Sequence, residues 1–209
     1  SPRCSERDAF QNHCAMSLEP ENVQALILRR RTIKPAQMDP RPVEREIVEA
    51  VLDSAIWAPT HGMTEPWRFT VYTGEARQRL GGFLSQTYRE IMDPAEFKPN
   101  KFESFRKNPT LAPIVIAIGM KRQSSGKIPE LDEVAAVACA VQNLHLHATA
   151  YGLGGFWSSN VAATSDAMRE FIGLEPGDRA LGLFYLGYPQ AGWPAGQRTP
   201  IAEKVRWES

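Results

Sequence analysis

Cysteine is scarce in this chain, and so is any excess of charge of one sign. Three cysteines stand among 209 residues, Cys4, Cys14 and Cys139. Their separations fit no structural zinc site, and any pairing leaves one over. A disulfide framework is thereby excluded. The first fifteen residues also lack the apolar core of a signal peptide, so the expected setting is reducing and cytoplasmic. Lysine plus arginine number 24 and so do aspartate plus glutamate; no global field draws the chain to nucleic acid or an anionic membrane. No apolar run approaches a membrane span. There is no internal repeat, no Gly-x-Ser-x-Gly elbow and no cysteine beside a base, which leaves nucleophilic triads unsupported. Gly126 and Lys127 lack the spacing of a phosphate-binding P-loop. His145 and His147 are two apart on a helical stretch, point to different sides and cannot share one metal ion.

What remains is an ordinary globular composition, 43% hydrophobic, enough for one sizeable core. Residues 1–16 show no periodicity and read as a disordered leader; residues 17–209 read as one domain. A first helix is expected from Ser17, with Val23, Leu26 and Ile27 as its apolar stripe, running into the basic run Arg29–Arg31 and ending before Pro35. Val43, Ile47, Val48, Val51, Leu52, Ala55 and Ile56 recur at helical spacing and predict a second helix. Residues 67–73 alternate as a half-buried strand, with Trp67, Phe69 and Val71 on its inner face. A third helix follows through Leu80, Phe83 and Leu84. Residues 93–109, with Phe97, Phe102 and Phe105 among lysines and prolines, suit a lid-like excursion or an extra short helix. Residues 111–119 form a strand covered on both faces. The stretch 130–151 opens with three acids and continues almost without a polar face, which predicts a helix buried in a domain centre or a subunit interface, with Cys139 as a buried thiol. Residues 181–187 make a further strand, and the whole is of the α/β or α+β class.

Three stretches carry polar groups beyond what turns require. Residues 58–69 take ten residues to turn a corner between a helix and a strand. Pro59 and Pro66 bracket Thr60, His61, Gly62, Thr64 and Glu65, polar groups pinned between rigid elements. Arg29, Arg30 and Arg31 with Lys34 form the densest positive charge. They suit either the C-terminus of a helix or a phosphate, whose oxygens guanidinium forks match; a mostly unpaired cluster tilts towards the phosphate. Gly152, Gly154 and Gly155 follow a helix and open a strand, the reverse of a dinucleotide-binding fingerprint. Gly152 suits the helix C-terminus, and its neighbours would let a ligand approach the backbone.

In their order these pieces resemble the FMN-dependent nitroreductase family, in its short bacterial branch of NAD(P)H nitroreductases. The carriers are Arg30-Arg31-Thr32-x-Lys34 after the first helix, then Ala58-Pro-x-His61 with Pro66-Trp67. Gly152-x-Gly-Gly-x-Trp157-x-Ser159 follows the buried helix, and Arg198-Thr-Pro stands near the end. The resemblance spans roughly Leu18 to Val205. It implies an α+β fold with a mainly antiparallel sheet flanked by helices, in an intertwined homodimer with FMN at each subunit interface. It implies that Arg30, Arg31 and Thr32 hold the ribityl phosphate and that Lys34 lies near the pyrimidine end of the flavin. Trp157, Ser158 and Ser159 would run along the ring near N5, Arg198 would bind phosphate, and His61 and Glu65 would reach the flavin of the partner. The implied activity is oxidation of NAD(P)H and ping-pong reduction of small nitroaromatic or quinone-like acceptors, with no side-chain nucleophile or metal required. Dehalogenation or dehydrogenation of a dedicated metabolite on FMN, or a non-enzymatic flavin-binding module, are the alternatives. Glu65 stands where relatives commonly have an amide. Arg68 is a candidate partner for its carboxylate.

Overall fold

The structure, a computed structural model, describes residues 19–209. The 1–16 leader, Cys4, Cys14 and the helix start at Ser17 lie outside the described residues. Six α-helices are described: α1 (Pro20–Arg29), α2 (Arg45–Ala55), α3 (Ala76–Ile91), α4 (Pro99–Leu111), α5 (Glu130–Ala150) and α6 (Asp166–Phe171). Four strands, β1 (Trp67–Tyr72), β2 (Ile114–Met120), β3 (Gly154–Ser158) and β4 (Arg179–Gly187), form one sheet in the order β1-β2-β4-β3. Every pairing is antiparallel. This is the expected α+β arrangement.

The sheet is covered on both faces, and alternation along β2 shows it. Ile114, Ile116, Ile118 and Met120 enter one core with α2, α5, Trp67 and Phe184. Val115 and Ala117 enter a second with α3, α6, Leu183 and Tyr185. Seven consecutive residues of β2 are therefore buried, as an apolar run between two layers requires. The same sandwich corrects the expectation for β1. Tyr72, assigned to the outer face, is buried in the second core, whereas Val71 is exposed. The two cores divide the strand, Trp67 and Phe69 entering one and Tyr72 the other, while Arg68 and Val71 stay exposed on this edge strand.

Two further expectations are settled. Of the two readings given for residues 93–109, the helix is the one found, spanning Pro99–Leu111 and packed on α3. Phe97 and Phe105 lie 5.4 and 5.0 Å from the Tyr88 ring, and the Lys98 amide donates to Tyr88 Oη at 3.1 Å. Cys139 is exposed, not buried. Helix α5 buries Ala136, Val137, Ala140, Val141, Leu144 and Ala148 against the sheet, while its outward stripe carries Leu131, Ala135 and Cys139 into solvent. Its end is the expected glycine stop: Leu153 N–H donates to Ala148 O and Gly152 N–H to Thr149 O, with Gly152 at φ 76°.

Candidate functional site

Helix α1 ends earlier than the basic run. Arg29 is its last residue and Arg30 its cap, after which the chain is extended. Thr32 forms a parallel bridge to Gly155 of β3, and Ile33 N–H donates to Gly155 O at 3.0 Å. In an extended segment alternate side chains face opposite ways, so Ile33 enters the core while Thr32 and Lys34 face outward. The close approach explains the glycines. A Cβ on Gly154 would lie 2.3 Å from Ile33, and one on Gly155 would lie 2.3 Å from the Phe184 ring. These glycines admit the protein's own side chains, where the sequence suggested a ligand.

The three arginines that meet there have different duties. Arg31 is structural: Nε donates to Pro194 O at 3.0 Å and Nη1 to Leu28 O and Arg30 O at 2.5 and 2.8 Å. It caps α1 and clasps the tail, and Gly196 lies against its guanidinium. Trp193 adds to the clasp by donating its indole N–H to Arg29 O. The clasp brings Arg198 beside Arg30. The Arg30 guanidinium makes no hydrogen bond or ion pair among the described residues. Burial first, then Arg198 and Arg31, hold its pKa below the ordinary guanidinium value. Like charges gathered without a carboxylate are costly unless an anion joins them.

Next to this cluster a cavity of about 320 Å³ is lined by Arg30, Thr32, Gln142, His145, Phe156 and Trp157, among others. His145 is buried, and its Nε2–H donates to Arg31 O at 3.1 Å. Burial, and next the Arg30 charge, push its pKa down to about 4, against the opposing effect of that hydrogen bond. It is therefore a neutral imidazole at physiological pH. The Trp157 indole is fixed by an N–H bond to Leu181 O at 2.9 Å. Ser158 Oγ accepts from Asn160 Nδ2 at 3.2 Å, and Ser159 is exposed. The cavity is thus part polar cation and part aromatic wall. That combination suits a flat ring carrying an anionic tail.

The corner lies elsewhere. His61–Met63 form a 3-10 turn, and His61 Nδ1 lies 2.7 Å from Asp132 Oδ2 in the first turn of α5. Asp132 and His145 are thirteen residues apart on one helix, about 20 Å at 1.5 Å per residue. The corner backbone is strained: Met63 and Glu65 have φ of 53° and 45°, conformations that cost on the order of 1–3 kcal/mol each in non-glycine residues. Arg68 donates to the Glu65 and Trp67 carbonyls at 2.9 and 2.7 Å and makes no bond to the Glu65 carboxylate. The suggested Arg68 partner is therefore corrected: that carboxylate is exposed and makes no ion pair among the described residues.

The structure thus gathers Arg30, Arg31, Thr32, Trp157 and Arg198 in one place and sets His61 and Glu65 apart from them. Lys34 follows on the exposed side of the same extended segment as Thr32. Gln142, His145, Phe156 and Gly196 join the site without having been singled out for it. Ala138, Gln142 and His145 recur at helical spacing, which is the signal that could have found them. His147 points away, to Ser54 Oγ at 2.6 Å, and no metal-binding group of side chains occurs among the described residues. The larger cavity of about 480 Å³ between α2 and β1 is lined mainly by Val43, Val48, Leu52, Val71 and Ile114. Its two charges, Arg45 and Glu49, pair with each other at 2.6 Å.

The model of the nitroreductase family matches residues 27–188. "Putative NAD(P)H nitroreductase YdjA" of Escherichia coli (strain K12) is 31% identical over 168 residues, 80% of this chain and 88% of its own. Among solved structures, a nitroreductase-like family protein from Bacillus cereus superposes with a TM-score of 0.78 at 27% identity, over 93% of this chain and 99% of its own. The FMN-dependent nitroreductase NfnB from Mycobacterium smegmatis, solved in complex with NADPH, gives 0.69 at 21% identity over 90% and 99%. That last likeness is one of fold.

Proposed function

The chain belongs to the nitroreductase family, and from that premise we propose that it is an FMN-dependent oxidoreductase. It takes electrons from NAD(P)H and passes them by ping-pong exchange to nitroaromatic or quinone-like acceptors. The observation that carries the proposal is the Arg30 environment: guanidinium groups of Arg30, Arg31 and Arg198 drawn together with no carboxylate among them, beside a cavity walled by Phe156 and Trp157. The residues present fit the cofactor. Arg30 and Arg198 neutralise the phosphate, and Thr32 offers a hydroxyl on the same exposed edge. Trp157, Ser158 and Ser159 would border its ring, and Lys34 would supply a cation to it. When bound, FMN supplies the two-electron chemistry, and no side-chain nucleophile is needed. The chain's part is to bind, orient and shield. A cation near the pyrimidine edge favours the reduced, anionic state.

In this proposal the unit is a homodimer. Its support is the apolar surface that one copy leaves open. Val23 and Ile27 of the α1 apolar stripe are exposed, as is Leu28 beside it, and Leu131, Ile201 and Trp207 are 75%, 72% and 91% exposed. Patches of this kind mark interfaces. The outward stripe of α5 is small-residued enough for a second α5 to pack closely. A twofold axis across two such antiparallel helices brings the N-terminal end of one to the C-terminal half of the other. His61 and Glu65 of one copy would then face the Arg30 cluster of its partner, which accounts for the 20 Å separation within a chain. The unpaired Glu65 carboxylate favours a second reading of the same site, with a dedicated acceptor that bears a cationic or hydrogen-bond-donating group, in dehalogenation or dehydrogenation. Residues 93–109, packed as helix and connector on α3, lend that reading nothing.

The test is a visible spectrum of the full-length protein after reconstitution with FMN and desalting, followed by anaerobic addition of NADH and NADPH. Retained flavin absorbance that one nicotinamide bleaches is the expected result. A colourless protein, or bound flavin that neither nicotinamide reduces, overturns the proposal. Comparable turnover across a nitroaromatic and quinone panel would count against a dedicated acceptor.

A further inference from the structure

The corner holds chemistry that the cofactor site leaves unused. The first turn of α5 carries three carboxylates, and two are already engaged. Glu130 pairs with Arg179 at 2.6 Å. Glu133, buried, pairs with Arg122 and accepts the Gln123 amide at 3.1 Å. Asp132 is the third, and its Oδ2 faces His61 Nδ1 at 2.7 Å. Around the rest of the turn, Gly62 is backed by the apolar Ile128, a Cβ there coming within 3.3 Å of it. The Arg68 guanidinium is spent on backbone carbonyls, and the Glu65 carboxylate makes no bond to the ring. His61 Nε2 has no partner among the described residues, and its side chain is 59% exposed.

We propose that His61 and Asp132 form a proton-donating pair for the acceptor half of the reaction. His61 would be the group that touches the acceptor, with Asp132 as its positioning residue. This rests on the reading of the site as one completed by the partner's corner. A carboxylate only accepts, so Asp132 holds a proton on Nδ1. The neutral ring then has a bare Nε2, and the protonated ring presents Nε2–H outward. Reducing a quinone needs a hydride equivalent and one proton. The hydride equivalent comes from the reduced cofactor, and the proton from His61 Nε2–H goes to the acceptor oxygen. The O–H bond forms as the N–H bond breaks, the product is the hydroquinone, and His61 is left neutral with Nδ1–H still on Asp132. Solvent restores the Nε2 proton to the exposed ring. Of the groups in the cation cluster, the guanidiniums hold their protons, and the single N–H of neutral His145 is committed to Arg31 O.

Two measurements test the pair. In the FMN-free full-length protein, ¹⁵N-edited NMR of the imidazoles is expected to show neutral His61 protonated at Nδ1, with Asp132→Asn shifting it towards Nε2–H. In the FMN-loaded protein, stopped-flow absorbance follows flavin reduction by NAD(P)H and reoxidation by a quinone. Asp132→Asn is expected to slow reoxidation at least tenfold relative to reduction, His61→Gln more so, and Asp132→Glu to recover most of the loss. Neutral wild-type His61 carrying its proton on Nε2 overturns the pair, as does an unchanged ratio of the two half-reactions in both Asp132→Asn and His61→Gln. Failure of the wild type to retain FMN would instead refute the cofactor reading, and it would leave the NMR result to judge the pair.

Discussion

The two ends of α5 are incomplete in opposite ways. Near its C-terminal half, Arg30 and Arg198 share space without a counter-charge, over a histidine kept neutral by burial and by Arg30 itself. At its N-terminal turn His61 already has its counter-charge in Asp132, but the backbone that carries it is held in conformations non-glycine residues avoid. The first region is built to receive an anion, and the second presents a paired histidine on a strained turn. In the proposed dimer the two are halves of one site.

The comparison breaks most readily at Arg30. If its charge is the phosphate anchor, Arg30→Ala weakens FMN binding by about 1.5–3 kcal/mol, the scale of a charged hydrogen bond, in a fluorescence titration of the full-length protein. An unchanged affinity would remove Arg30 from the site. Gly154→Ala sharpens the other side of the argument, that the glycines serve the protein's own packing. Its Cβ would press on Ile33, so urea unfolding of the FMN-free protein should show a loss of about 1–3 kcal/mol. An unperturbed midpoint would return the glycine to the ligand.

His145 tests the charge cluster through pH. Its pKa falls from an ordinary 6.5 to about 4 in the folded protein. Between those values the unfolded chain binds more protons, so stability rises with pH. The contribution is complete above about 6.5 and is lost as pH falls towards 4. Urea unfolding of the FMN-free protein at pH 5 should be less stable than at pH 7.5, by about 1–2 kcal/mol from this group. His145→Leu should flatten that slope. Smallest of all, Glu49→Ala in the larger apolar cavity should leave flavin retention and the melting temperature within error, because an exposed pair contributes little.

Helices α2, α3 and α5 and strand β2 were legible because hydrophobic period and burial agree there. Helix α4 was not. Phe97 of the connector and Phe105 of the helix pack on Tyr88, while Phe102 packs on Phe97, and the helix starts at Pro99 and contains Pro109, so no clean stripe marks it. Cys139 was misplaced because a helix apolar all round does not reveal which face meets its own sheet and which faces outward. In the site, the basic run and the glycine segment were visible as residues. That they meet depends on one parallel bridge between Thr32 and Gly155, which links positions 123 apart and leaves no local trace. The approach of Arg198 likewise depends on the Arg31 and Trp193 clasp. His145, set aside in the sequence as no metal ligand, is buried, and its ring also supports the backbone at Arg31.

The most direct test of the shared site is a hybrid dimer of two differently tagged copies, one carrying Arg30→Ala and the other His61→Gln. If each site joins Arg30 of one copy to His61 of the other, the hybrid contains one intact site and one doubly altered site. It should then recover about half the wild-type rate of quinone reduction per dimer, while both parent homodimers remain slow. A hybrid no faster than its parents would place both residues in sites confined to one chain and contradict the account.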